Sequence, residues 1–298
     1  MTLTGAVELH GHRGARGLRP ENSLPGFAHA LTLGVDAIEL DVGLTSDGVV
    51  VLNHDQELSP VNAGDTRPAR PGDPLFPYVG QPLRALTLEQ VRTVDIGVRR
   101  CALDDPFLLT QRPMPGTPLP TLAEAGALLA ADPSVRLAVE LKTDPSWPQA
   151  DIVRFVEAVA EVVAACGLTA RSRVLAFDWR VLSTARRLAP GLGRVALIER
   201  KTLVPGTTWL AGLPPDDPVA AACAIGATAL SPHHSLTDPF LVERAHASGL
   251  PVVVWTVNDP SEMREFIEYG VDAIVTDYPD RFPHTHAASR KTRVAAGS

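Results

Sequence analysis

Cysteine is scarce in this chain of 298 residues, and its three copies, Cys101, Cys166 and Cys223, lie far apart with no C-x-x-C spacing. That argues against a disulfide framework or a thiolate metal site, and it favours a reducing compartment. No run approaches the roughly 18 apolar residues of a membrane span. Met1 to Val7 lacks the basic and apolar stretches of a signal peptide. The expectation is a cytoplasmic protein with no membrane span. Positive charge is also in deficit: 27 Lys and Arg against 34 Asp and Glu give a formal charge of −7. This argues against nucleic acid as a partner, but a local basic pocket could still take a small anionic substrate. No G-x-G-x-x-G follows the first apolar run, so a dinucleotide-binding open sheet has no support.

What is present is alternation. Short β-branched or apolar runs occur at Ala6–His10, Asp36–Val42, Val49–Asn53, Arg136–Leu141, Arg173–Ala176, Arg194–Ile198, Ala227–Leu230, Val252–Thr256 and Ala273–Thr276. Between them, helical patterns fall near 23–33, 122–131, 149–165, 179–188, 217–225, 238–248 and 260–269. Strands alternating with helices imply βα units and a parallel sheet, and this many in this length predict a closed (β/α)8 barrel. Thr87-Leu-Glu-Gln90 and Thr121-Leu-Ala-Glu124 fit capping boxes. Asp259-Pro260 fits a cap followed by Pro at the first helical position.

One connection breaks the rhythm. Only the residues around "LTSDGV" separate Val42 from Val49, too few for a parallel crossover of at least ~10–12 residues. Asp47-Gly48 favours a tight turn, so Val49–Asn53 is predicted to form a hairpin-like or irregular element with the second run, which accounts for nine runs where a barrel needs eight. From Glu57 to about Pro118 the pattern dissolves into a Pro- and Gly-rich stretch around a short helix at 87–94. It reads as an insertion or lid within one catalytic domain at 1–282, and 283–298 as a flexible tail.

The chemistry-bearing residues collect at strand ends, where barrel active sites are built. Glu39 and Asp41 lie two apart and so share a face. Centring the hairpin on Ser46-Asp47 would set Glu39 opposite His54. Glu140 and Lys142 repeat the spacing on a later strand. Three carboxylates form an all-oxygen set that suits Mg2+ or Ca2+ better than zinc. Arg13 follows His12 at the end of the first strand, and its guanidinium fork suits phosphate oxygens. Gly14 and Gly17 would let the backbone approach a ligand. Two imidazoles, three acids and two cationic side chains describe metal-assisted phosphoryl chemistry.

The chain resembles the glycerophosphodiester phosphodiesterase family in "HRGARGLRPENSLPGFAHALTLGVDAIELDVGLTSDGVVVLNHD" (12–55), "ELK" (140–142), "VWTVN" (254–258) and "VDAIVTDYP" (271–279). The resemblance implies a distorted TIM barrel of the phospholipase-C-like type, with a small insertion after the third strand. It implies His12 and His54 as the general acid/base pair, with Glu39, Asp41 and Glu140 as ligands of Mg2+ or Ca2+. Arg13 and Lys142 would contact phosphate, and Trp255 would wall the substrate pocket. The implied reaction takes a small-molecule glycerophosphodiester to sn-glycerol 3-phosphate and an alcohol. Departures from the family pattern are Ser23 for a frequent Thr, "LSPV" (58–61) after His54-Asp55, and Ala176-Phe177 where Ser-Phe is usual.

Three rival readings compete with this one. A zinc amidohydrolase would use His10 and His12 together, but it needs histidines after the middle strands, which "VLAFD" and "VALIE" lack; His233 and His234 come too late. A metal-independent phospholipase-C-like enzyme would replace the cation with a basic side chain, against which the three acids in phase argue. A non-catalytic binding module is opposed by the intact His12 and His54. His10 is expected to be a hydrogen-bonded interior residue, pointing as His12 does but deeper in the barrel.

Overall fold

The computed structural model describes residues 6–100 and 103–283. The strands are β1 (Glu8–Gly11), β2 (Ala37–Leu44), β3 (Val50–Leu52), β4 (Gly64–Asp65), β5 (Val94–Asp95), β6 (Arg136–Leu141), β7 (Ser172–Ala176), β8 (Gly193–Ile198), β9 (Ala229–Pro232), β10 (Val253–Val254) and β11 (Ala273–Thr276). The α-helices are α1 (Leu24–Thr32), α2 (Leu88–Val91), α3 (Leu122–Ala130), α4 (Gln149–Ala165), α5 (Arg180–Leu188), α6 (Pro218–Ile225), α7 (Pro239–Ala247) and α8 (Pro260–Glu268).

Eight strands pair in parallel in the order β10-β11-β1-β2-β6-β7-β8-β9. Closure between β9 and β10 is looser. The Leu230 amide donates to Pro251 O at 2.9 Å and the His234 amide to Trp255 O at 2.7 Å. The result is a distorted (β/α)8 barrel. β3 pairs antiparallel with β2, as expected for the short link, and so stands outside the barrel wall. The register differs from the one read from sequence. Val42 faces Leu52 and Leu44 faces Val50, which centres the turn on Asp47. β3 also stops before His54, so Glu39 and His54 are not cross-strand partners.

Helix starts follow local chemistry. Thr87 and Thr121 each accept from the amide three residues on, and Gln90 and Glu124 reach back to the cap amides. Asp217, Asp238 and Asp259 each cap a helix whose first residue is Pro, where a missing N–H costs nothing. Outward-facing strand residues such as Ile38, Leu40, Val139 and Ile274 pack with Phe27, Phe155 and Val159 of the helices into the main core. Inward, Ala138, Leu175, Val195, Leu197, Ala229, Val253, Ala273 and Val275 form a smaller apolar plug. At the floor of β1, Glu8 pairs with Arg136 from β6, and His10 Nε2 lies 3.0 Å from Glu8 Oε2.

The segment after His54 builds a satellite core of its own. Val51, Leu58, Tyr78, Leu83, Leu86, Val91 and Leu119 are buried together, and β4 pairs with β5. Leu83 lies over Gly43 of β2 so closely that a Cβ there would come within 2.3 Å of it. The tail expected at 283–298 lies, but for Pro283, outside the described residues, as does Cys101. Cys166 and Cys223 are free thiols.

Candidate active site

The carboxyl ends of all eight barrel strands, β1, β2 and β6 to β11, open onto a cavity of about 460 Å³. His12, Arg13, Glu39, His54, Glu140, Lys142 and Trp255 all line it. Asp41 lies buried just behind, and one oxygen from each of Glu39, Asp41 and Glu140 falls within 4.8 Å of the other two. Among the described residues no histidine joins that group. His10 is 3% exposed and turned to Glu8, so the two-histidine zinc reading has no geometric support.

The three acids are held differently. Glu39 Oε2 accepts from the Arg13 amide at 2.9 Å, whereas its buried Oε1 has no partner. An unpaired buried carboxylate oxygen is costly. Burial, with Asp41 and Glu140 beside it, raises the Glu39 carboxyl well above its usual range. Burial also works against ionised Asp41, but Lys142 and Arg13 prevail and hold it well below its usual range. Lys142 Nζ lies 3.0 Å from Asp41 Oδ1 and donates to Glu140 Oε1. Arg13 Nε lies 3.1 Å from Asp41 Oδ2. A hard cation held at about 2.3–2.6 Å from each ligand oxygen requires an oxygen cradle of this size. The unpartnered Glu39 Oε1 and the all-carboxylate donor set fit one.

Backbone geometry tightens the cradle. Arg13 and Asn22 both adopt positive φ, +48° and +50°, a conformation that costs non-glycine residues about 1–3 kcal/mol and clusters at functional sites. Arg13 thereby aims its amide at Glu39. Asn22 donates from Nδ2 to Asp41 Oδ2 at 2.9 Å and accepts the Asp41 amide at 3.0 Å. Gly14 makes the tight turn expected of it, and both glycines also admit neighbouring rings. Gly14 has φ +89°, and a Cβ there would meet the Phe27 ring at 2.8 Å. Gly17 lies under the Tyr278 ring. Both serve packing of the β1–α1 loop.

Each candidate proton carrier is tied to an aspartate. His12 Nδ1 lies 2.6 Å from Asp277 Oδ1, and its Nε2 is 4.0 Å from Glu39 Oε2. Burial lowers the His12 pKa, and Arg13 and Arg16 add to this against the pull of Asp277. Asp277 is buried too, yet His12, Arg16 and Asn258 lower its pKa to about 2. Asn258 Nδ2 donates to Asp277 Oδ2 at 2.7 Å. His54 Nδ1 lies 2.6 Å from Asp55 Oδ1, and that hydrogen bond lowers the Asp55 pKa. His54 thus reaches the acids from the loop beyond β3. Asp277, Asn258 and Asn22 are site residues beyond those expected from the sequence. Asp277 carries a sequence signal: Ala273, Val275 and Asp277 alternate on the inward face, in phase with the strand.

Trp255 forms the far wall, donating from Nε1 to Ser231 O at 3.0 Å. It meets Phe177 edge-to-face at 5.5 Å between ring centroids.

Comparison with known proteins decides the family. The model of the glycerophosphoryl diester phosphodiesterase family matches residues 12–281. The chain belongs to that family. Among its relatives is a glycerophosphodiester phosphodiesterase of Caldanaerobacter subterraneus subsp. tengcongensis, 27% identical over 90% of this chain and 93% of that protein. A crystal structure assigned to the same family, from Silicibacter pomeroyi, superposes with a TM-score of 0.82. It is 32% identical over 93% of this chain and 92% of its own. A phosphodiesterase of Oleispira antarctica, solved with the product sn-glycerol-3-phosphate, shares the fold at a TM-score of 0.69. It is 22% identical over 96% of this chain and 97% of that one. As a member of the family, the chain is a phosphodiesterase on the TIM-barrel fold anticipated from its strand pattern.

Proposed function

We propose that this chain hydrolyses glycerophosphodiesters to sn-glycerol 3-phosphate and an alcohol. The observation that carries this reading is the convergence, in one cavity, of a three-carboxylate cradle, two aspartate-tethered histidines and two cationic side chains. Glu39, Asp41 and Glu140 would hold Mg2+ or Ca2+. When bound, such an ion supplies Lewis-acid polarisation of the phosphoryl group and neutralises charge developing on it.

The remaining work falls to the chain's own residues. Asp277 is ionised and can only accept, so His12 Nδ1 carries the proton of that hydrogen bond and neutral His12 keeps a lone pair on Nε2. Asp55 fixes His54 in the same tautomer. One imidazole takes the proton of the attacking water and the other donates one to the departing alkoxide, the usual division for a general acid/base pair. Lys142 and Arg13 orient the phosphate oxygens. Trp255 gives the glycerol carbons an apolar wall, which narrows the poses that bring phosphorus over the cradle.

The test is a panel of glycerophosphodiesters incubated with the protein and either Mg2+ or Ca2+, read by release of sn-glycerol 3-phosphate. Turnover of at least one diester with that product is expected. Release of the phosphorylated alcohol and free glycerol instead would contradict the assigned bond cleavage. Glu140→Gln should shift the metal titration to higher concentration; an unchanged titration would remove Glu140 from the ligand set.

A further inference from the structure

Besides Arg13, the β1–α1 loop carries a second guanidinium that borders the cavity, that of Arg16. It stands in a network centred on one buried carboxylate, Glu21. Arg13 Nη1 donates to Glu21 Oε1 at 2.7 Å, Arg16 Nε to Oε2 at 2.8 Å, and Arg99 Nη1 lies 3.4 Å from Oε2. Arg99 comes from the 57–118 insertion, so the network joins insertion to barrel.

The three arginines differ in how much of their charge and hydrogen-bonding capacity is spent. Arg13 also pairs with Asp41. Arg99 places Nε and Nη2 on Asp105 Oδ2, at 3.0 and 2.8 Å, and Nη1 on Asn62 Oδ1 at 2.5 Å. Arg16 spends Nε alone on a carboxylate among the described residues. Among the described residues its terminal nitrogens make no hydrogen bond, and no second carboxylate lies within 4 Å. Its side chain lines the cavity and remains 21% exposed, against 8% for Arg13.

Arg16 is also held in place. Its guanidinium carbon lies 4.7 Å from the centroid of Phe107, a buried insertion residue whose ring also takes Arg99 at 5.2 Å. Gln111 Nε2 donates to Arg16 O at 2.7 Å. A guanidinium bonded at Nε and stacked on a ring has its plane set, so its two Nη groups form a preorganised fork for an oxyanion.

We infer that Arg16 is a further anion-binding residue of the cavity, contacting the substrate's phosphate, and that Phe107 of the insertion is its positioning residue. The inference rests on the phosphodiesterase reading above. It gives the insertion a defined role, that of fixing the direction of a phosphate-binding fork.

The experiment measures binding of inorganic phosphate and of sn-glycerol 3-phosphate to the Mg2+-loaded protein by titration calorimetry, with hydrolysis followed in parallel. Arg16→Met keeps an apolar stem against Phe107 and removes the fork. Kd for both anions should rise about tenfold or more, the size of one charge-assisted hydrogen bond. Phe107→Leu should weaken binding in the same direction and Phe107→Tyr should restore it. In the Arg16→Met background, Phe107→Leu should have no further effect. Arg16→Lys, which keeps the charge without the fork, should fall between wild type and Arg16→Met, and it serves if Arg16→Met does not fold. Wild-type Kd in folded Arg16→Met or Arg16→Lys overturns the inference while leaving the phosphodiesterase reading intact. A wild-type protein that binds neither anion overturns both, and one that binds them without hydrolysing any glycerophosphodiester overturns the activity alone.

Discussion

His10 lies within β1 and His12 stands just past its end, and their surroundings assign them different work. His10 is sealed at the barrel floor against Glu8, where burial lowers its pKa. His12 opens on the cavity with Nδ1 tied to Asp277. Under the proposed mechanism His12→Ala should lower kcat by about 10²–10⁴, the usual contribution of a general acid or base, with an unchanged circular-dichroism spectrum. Asp277→Asn should lower kcat in the same direction, because an amide can present its N–H to Nδ1 and favour the wrong tautomer. His10→Ala should leave most of the turnover and appear as lost stability. If His10→Ala proved the more damaging to kcat, the roles of the two histidines would have to be exchanged.

At the scale of elements, much of the fold was legible because local signals and tertiary structure agree. Helices α1 and α3 to α8 begin and end close to where caps and apolar period placed them. Thr121→Ala removes an N-cap that accepts from the Glu124 amide. It should cost about 1 kcal/mol in chemical denaturation and leave kcat unaltered. A loss well under that value would mean the capping box contributes little here. The hairpin was also foreseeable from its length, but its register was not. A tight turn can be centred on either of two neighbouring residues, and a one-residue shift reassigns every cross-strand pair. The structure settles it with Thr45 Oγ1 donating to Asp47 Oδ1 at 2.6 Å. The acids at 39, 41 and 140 stood out because carboxylates in apolar strands are conspicuous. Alternation marks Asp277 as inward-facing, but its pairing with His12 depends on β11 lying beside β1. That adjacency follows from barrel closure and has no local signature. The insertion was opaque for a related reason: its core is assembled from scattered residues, from Leu58 to Leu119, without a period.

For the molecule as a whole, the same charges that equip the site and floor couple stability to pH. Burial opposes ionised Glu8, but His10 and Arg136 lower its pKa from 4.5 to about 2. A carboxylate with a depressed folded-state pKa stabilises the fold above its unfolded value, and that contribution is lost as pH falls from about 4.5 toward 2. Glu8→Gln should therefore destabilise the protein at pH 7 and flatten the acid limb of its stability curve. An identical acid limb in wild type and variant would show that the floor cluster is not the titrating element. Asp277 titrates in the same range, so some acid sensitivity should persist in Glu8→Gln.

The metal cradle can be probed on the intact protein. Stripping with EDTA followed by gel filtration, then stepwise return of Mg2+ or Ca2+, should first abolish and then restore the release of sn-glycerol 3-phosphate from a glycerophosphodiester. The stripped protein should keep its fold, since Lys142 and Arg13 already neutralise part of the cradle. Loss and recovery of turnover with the divalent ion is the expected result. Full turnover in the stripped protein would contradict a reaction built on Glu39, Asp41 and Glu140.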